Sequence, residues 1–492
     1  MFSRLKLSWP ELLRRAATAV AIAAGLTLVF TTLLNAQSYT VTDLGYIGGT
    51  PKATNPEGVN NNGQAVGYSY VNGSSVYNAF LFEGGPLIDL GALINNGFSI
   101  GTGINDFGDI SGYGTLANGG THAFLITNGT MTDIGTLPGG STSAANAVNN
   151  QGQVVGYSST PNSGQKAFLF ANGTMTDIGA LNDFGVTGGG ISVAYAINNK
   201  GQIAGSSYNF DHSANGFSTH AFLFSNGTMK DLGGINALGH GVNENGTVVG
   251  GSTVQDGTSH AARFDGVGSF FDLGNLMCVS EDPITLGQFI SISCQNGTGN
   301  SAAYSINSFN QIVGFSDTQT PNLEHAFVVI NGTMRDLNWY IPANSGWVLQ
   351  TATSINEAGQ IVGNGTHNGV RAGYLLTPNC ASDASASVSV TRGGFSFSPV
   401  VHKFGQFITI TNTGSVDIVG PIKIAVDNLS SGAKAVANTG MTSCDAPLNS
   451  PYYQINVTLG PGGSATTSFV FDDPTKAPIT YTTRVLAGAG LP

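Results

Sequence analysis

Charged side chains make up only 9% of the 492 residues, too few to coat the solvent faces of a set of amphipathic helices. Of these, 28 are acidic and 17 basic, a net charge of −11 that repels phosphate backbones and argues against a nucleic-acid partner. There are four cysteines, none in CxxC spacing and none beside a histidine cluster, which leaves no zinc site to propose. No glycine-rich loop stands before a helix to cradle a phosphate, and no Asp-x-Asp-x-Asp loop offers a calcium site. The sequence therefore predicts no cofactor and no metal. One long apolar run occurs, from Ala16 to Leu34, and no second one follows to stop a translocating chain.

That run follows Arg4, Lys6, Arg14 and Arg15 and ends Leu34-Asn35-Ala36 before Gln37, the pattern of a secretory signal with a small residue at the cut. Its length would also suit an uncleaved anchor. The small residue Ala36 favours cleavage between Ala36 and Gln37, giving a signal peptide over 1–36, no membrane span in the mature chain, and an extracellular, cell-surface or periplasmic location. Loss of four basic residues and Glu11 takes the net charge to −14. In an oxidising compartment the cysteines are expected to pair, Cys278 with Cys294 across a short loop and Cys380 with Cys444.

What the chain has in abundance is glycine, 70 residues of it, arranged periodically. One block recurs seven times: GVNNNGQAVGYS from Gly58, then related blocks from Gly103, Ala147, Ala196, Gly241, Ser305 and Ser354. The steps are 45, 44, 49, 45, 64 and 49 residues, so one insertion separates the fifth copy from the sixth. An apolar strand follows each block: NAFLF from Asn78, HAFLI from His122, KAFLF from Lys166, HAFLF from His220, HAARF from His260, HAFVV from His325 and RAGYLL from Arg371. Asn-Gly-Thr at Asn128, Asn172, Asn226 and Asn331 then marks a hairpin, because Asn and Gly both accept positive φ. A further strand ends near Asp-Leu-Gly at Asp89, Asp133, Asp177, Asp231, Asp272 and Asp336.

Four short strands in about 45 residues is the size of a propeller blade. Phase separates a ring from an open stack. The last repeat lacks its Asp-Leu-Gly strand, yet one stands alone at Tyr39 to Gly45. A seven-bladed β-propeller over 37–379, closed by that N-terminal strand, uses the orphan and leaves no bare edge. From Cys380 the repeat gives way to alternating strands such as FGQFITITNT and YYQINVTL, which predict a β-sandwich over 380–492. The expectation is an all-β protein of two units.

The ordered set His-Ala-Phe-Leu-Phe, Asn-Gly-Thr-Met, Asp-Leu-Gly and Ile-Asn-x-x-Gly-Gln-Ile-Val-Gly resembles the extracellular HAF repeat family, over Tyr39 to Leu376. The segment from Ile341 to Trp347 is similar to that family's closing repeat. The resemblance implies secretion and repeat architecture and brings no catalytic residues. This chain departs from the pattern at Ala262-Arg263, at Gly373-Tyr374 and in the long insertion. Thr411-Asn412-Thr413-Gly414 and the stretch from Leu459 to Ser464 resemble immunoglobulin-like (Ig-like) accessory domains of bacterial surface proteins.

The repeated His (122, 220, 260, 325) and Asp recur once per blade, and catalysis breaks symmetry, so they are expected to bond turns. The same holds for Asn60, Asn105, Asn149, Asn198, Asn243, Asn307 and Asn356, expected to form Asx turns. Three features are unrepeated: Glu281 and Asp282 in the insertion between Asn275 and Asn300, the aromatic group Trp339, Tyr340 and Trp347, and Asp472-Asp473. Glu281, Asp282, Trp339 and Tyr340 form the candidate binding loops, and no acid, base and orienter come together as a catalytic set. The sequence thus points to a secreted, non-catalytic repeat protein binding an extracellular glycan, an envelope component or another protein. A propeller-based carbohydrate-active enzyme and a purely structural envelope component are the alternatives.

Overall fold

A computed structural model describes residues 39–49, 53–72, 74–161, 164–181, 190–211, 216–266, 268–278, 299–320, 322–330, 332–399, 402–436, 438–442, 444, 446–447, 450–474 and 478–488. Ala36, Gln37, Glu281, Asp282 and Cys294 fall outside them, so the signal cleavage, the insertion's carboxylates and the Cys278–Cys294 pairing lie beyond the described residues.

The seven repeats form seven antiparallel four-stranded sheets. In chain order their inner strands are Thr54–Val59, Ser99–Ile104, Ser143–Val148, Ser192–Ile197, Leu238–Val242, Ser301–Ile306 and Trp347–Ile355. The fourth strand of blade 7 is Tyr39–Asp43, paired with Val370–Pro378 from Tyr39 opposite Pro378 to Asp43 opposite Tyr374. Closure by the N-terminal strand is therefore as the repeat phase requires.

Each motif residue has a mechanical reason. The Ala and Phe of the third strand are the wedge between blades: Phe80, Phe124, Phe168, Phe222 and Phe327 are fully buried, each stabilising the ring by about 2–3 kcal/mol. The serine opening an inner strand joins neighbouring blades. Ser301 accepts the Ala261 N–H at 2.8 Å and donates to the Gly274 carbonyl at 2.6 Å, and Ser192 does the same with Ala167 and Gly179. The repeated Asp bonds the turn after it, Asp133 accepting the Gly135 N–H at 2.8 Å, and holds the imidazole Nδ1 of His122 at 2.9 Å. Blade 7, with Arg371 in the histidine position, keeps this clip by another route: His367 reaches Asp43 of the closing strand at 2.8 Å. Trp347 stacks on His367 at 4.7 Å between ring centroids.

The C-terminal unit is a second β domain. One sheet of five strands and one of four share a core that includes Ile408, Ile410, Phe469 and Phe471 from one face and Ile422, Ile424, Tyr453 and Val485 from the other. Cys380, two residues past the last propeller strand, is disulfide-bonded to Cys444 of this unit, as expected.

Candidate functional site in the central channel

Two rings of side chains line the axis, three residues apart, one just past the ends of the seven inner strands and one within them. The first is asparagine throughout. In six blades the Asn Oδ1 accepts the N–H groups two and four residues on, as Asn149 does from Gln151 at 3.1 Å and Gln153 at 3.0 Å, and in blade 7 Asn356 accepts from Gln360 at 2.8 Å; this is the Asx turn read from sequence. Its Nδ2 does something the sequence reading missed: it donates to the main-chain oxygen of the corresponding Asn in the next blade. The seven bonds close a circle, Asn60 to Asn105, to Asn149, to Asn198, to Asn243, to Asn307, to Asn356 and back to Asn60, at 2.8 to 3.2 Å. One residue further on, Asp106, Glu244 and Glu357 stand at this mouth of the channel, bonding main-chain N–H groups of Asn61, Asn199 and Ser308.

The second ring is varied. Three residues before each Asn stand Glu57, Thr102, Asn146, Tyr195, His240, Tyr304 and Thr353, five residue types in seven places. Every one occupies a β-bulge, where the register of the inner strand slips against its neighbour. The cause is a glycine on the second strand. Gly67, Gly112, Gly156, Gly205, Gly250, Gly314 and Gly363 sit opposite the residue before the bulge, and a Cβ on any of them would collide with an inner-strand carbonyl. A bulge bends a strand and re-aims one side chain, here into the channel.

All seven line a cavity of about 550 Å³ on the axis, within the ordinary range for small-molecule sites, roughly 300–1,000 Å³. Four of them also touch the next blade: Thr102 donates to Ala145 O at 2.9 Å, Asn146 to Ala194 O at 2.7 Å, Thr353 to Pro56 O at 2.8 Å, and His240 Nδ1 lies 3.0 Å from Ala303 O. That bond requires the Nδ1–H tautomer, and burial holds the His240 imidazole below its ordinary pKa, so the ring is neutral. His240 lies between Tyr195 and Tyr304, at 5.3 and 5.2 Å between ring centroids, and Phe315 stacks behind Tyr304 at 5.8 Å. Blades 4, 5 and 6 thus present one aromatic wall.

Glu57, in blade 1, stands on the opposite side of the seven-membered ring from blades 4 and 5. Its carboxyl makes no hydrogen bond or ion pair among the described residues, and burial pushes its pKa up to about 7. Its electrostatic neighbours are phenols: Tyr68, Tyr113 and Tyr304 are each held above the ordinary tyrosine value, first by their own burial and then by Glu57 among other groups.

The candidate binding residues singled out from sequence that the structure describes lie elsewhere. Trp339 and Tyr340 sit on the short 3-10 turn Leu337–Tyr340, where Trp339 is partly exposed and Tyr340 packs on the core beneath blade 7. Neither lines the axial cavity. Asp472 is paired with Lys403 at 2.7 Å. The signal that marked the channel was present in the repeats: aligned on the repeated Asn, the third position before it is where the copies differ in chemistry.

No protein-family pattern matches the chain, and no curated protein matches it. Among solved structures it is similar to the acylaminoacyl peptidase of Pyrococcus horikoshii, at 10% identity and a TM-score of 0.39, covering 77% of this chain and 61% of that one. It thus spans less than two thirds of the peptidase. It is also similar to a gluconolactonase from Xanthomonas campestris, at 11% identity and a TM-score of 0.31, over 70% and 92% of the two chains. A third likeness is to Trypanosoma rangeli sialidase, at 10% identity and a TM-score of 0.33, over 92% and 96%. Likenesses at this level assign no role to any residue of the channel.

Proposed function

We propose that this is a secreted, non-catalytic binding protein of the cell envelope or extracellular space, and that the axial cavity is where it takes its ligand. The observation that carries the reading is the varied ring: seven bulges aim side chains of five kinds into one cavity, on strands whose other repeated positions serve the fold. Pooled variety of this sort suits recognition of one ligand. Secretion is supported by the leader over 1–36, by the likeness of the repeats to the HAF family, and by the Cys380–Cys444 disulfide. The C-terminal sandwich fits an Ig-like accessory role. The ligand class we favour is an extracellular glycan or envelope component, for which Tyr195 and Tyr304 offer stacking faces.

One observation favours a second reading, a propeller-based carbohydrate-active enzyme: a carboxyl with its pKa near 7 is poised as a general acid or base. Against it, Glu57 is the only carboxylate among the described residues that line the cavity, whereas glycoside hydrolysis ordinarily needs two. The test is to pass the mature protein over immobilised polysaccharides and envelope fractions while assaying the eluate for products. Retention without products, lost on replacing Tyr195 and Tyr304 with Ala, is the expected result. Retention that ignores both substitutions removes the channel from the account. Products that vanish in Glu57→Gln establish the enzyme.

A further inference from the structure

The axial cavity is one-sided in charge. Among the described residues its lining holds one carboxylate, Glu57, no lysine and no arginine, and one imidazole, His240, kept neutral by burial, which outweighs the opposite pull of its bond to Ala303. Around Glu57 the facing groups are neutral phenols and hydroxyls: Tyr68 on its own blade, Thr102 and Tyr113 from blade 2, Thr353 from blade 7 and Tyr304 from across the axis. Arg371 of blade 7 acts on Tyr68 from an exposed position and does not line the cavity. Glu324 lies near Tyr304, and Asp106, Glu244 and Glu357 occupy the far mouth, so the neighbouring acids add negative potential along the axis. An anionic ligand such as a phosphate or a uronate would enter against all of them.

We propose that the cavity receives an organic cation, a protonated or quaternary amino group seated between the Glu57 carboxylate and the Tyr195–His240–Tyr304 wall. This rests on the reading that the channel is the binding site and names the chemistry it selects. A carboxylate enclosed without a counterion is costly, and a cationic ligand supplies the missing charge. The faces of Tyr195 and Tyr304 add cation–π attraction from the other side. The Tyr195 hydroxyl is already bonded to Ser206, which fixes its ring, and His240 is fixed by Ala303, so the wall is pre-organised. A bare metal ion is a poorer occupant: one carboxylate is too few ligands, and among the described residues no group of three His, Cys, Asp or Glu side chains could hold one. Because the ligand pairs with ionised Glu57, its binding strengthens as pH rises through 7 and draws a proton from the protein as it binds.

The experiment uses mature protein labelled for NMR at His and Glu, with tetramethylammonium and choline as cationic probes and glucose and N-acetylglucosamine as neutral ones, at up to about 0.1 M. At pH 8 the cations are expected to shift the Glu57 and His240 signals saturably and to lower the Glu57 titration midpoint. At pH 5, or in Glu57→Gln, their affinity should fall at least about tenfold, the equivalent of one pKa unit. A Tyr195→Leu, Tyr304→Leu double variant should lose affinity while Glu57 still titrates high, which separates loss of the wall from loss of the fold. Neutral probes binding as well as cations, with no dependence on Glu57, would overturn the cation proposal and leave the channel as the binding site. Failure of all four probes to move either signal would overturn the proposal as well. The polysaccharide retention experiment judges the broader reading independently.

Discussion

The asparagine ring, just past the ends of the seven inner strands, and the bulge ring, three residues earlier within them, differ in what constrains them. Each asparagine bonds one carbonyl of the next blade and, in six of the seven blades, two N–H groups of its own turn (one in blade 7), so its shape and both its hydrogen-bonding ends are engaged. A substitute would need an acceptor and a donor at the same reach, and all seven repeats keep the residue. The bulge residues face a cavity, where a lost hydrogen bond can be replaced by water. There the chain holds a carboxylate, hydroxyls, an amide, phenols and an imidazole. Repetition in this molecule reports the demands of assembly, and variation within the repeat reports freedom to recognise something.

The comparison breaks most violently where the two rings share a support. Gly156→Ala puts a methyl group into the Ala144 carbonyl, which should cost about 4 kcal/mol in denaturant unfolding. In the sandwich, Gly405 has no backbone atom nearer than ordinary contact around a Cβ, and Gly405→Ala should leave the midpoint nearly unchanged. Next in size is a gain. Glu57 titrates near 7 folded and near 4.5 unfolded, so between those values the folded chain binds more protons and stability falls as pH rises. Below about 4.5 there is no penalty, and above about 7 it is complete, worth about 3 kcal/mol. Glu57→Gln should therefore raise the melting temperature at pH 8 and leave it unchanged at pH 4.

Asn149→Ala should go the other way by about 2 kcal/mol at every pH, since it strands the N–H groups of Gln151 and Gln153. Smallest is the outer clip. His122→Ala removes an imidazole from a half-exposed carboxylate, while Asp133 keeps its bond to Gly135, and should cost less than about 1 kcal/mol in the same unfolding assay.

Most of the architecture was legible because its causes are local or periodic. Asn128-Gly129 reads as a hairpin because both residues adopt positive φ, at 51° and 74°, and Asn310 replaces the turn glycine of blade 6 at 58°. The orphan strand at Tyr39 was legible through phase, since a ring of seven sheets with one strand missing has one place for it. The channel was harder to see. The asparagine circle joins residues 44 to 64 positions apart, or 296 at the closure, and no single repeat contains both ends of a bond. The bulge hides as well, because Ser-Ala-Ala-Asn-Ala-Val at Ser143 looks like an unbroken run of small strand residues. Only the glycine opposite, packed on a carbonyl, shows why Asn146 turns inward. Attention to unrepeated segments led to Trp339 and Tyr340, of which Tyr340 packs on the core shared by blades 6 and 7, and away from differences inside the repeat itself.

The most direct test is an alanine scan of both rings, reading unfolding free energy at pH 8 for each of the seven asparagines and each of the seven bulge residues. Every asparagine substitution should cost about 2 kcal/mol, while the bulge substitutions should cost less than about 1 kcal/mol and Glu57→Ala should stabilise. Equal losses in the two rings would contradict the account, because the varied residues would then be holding the blades together and would not be free to serve a ligand.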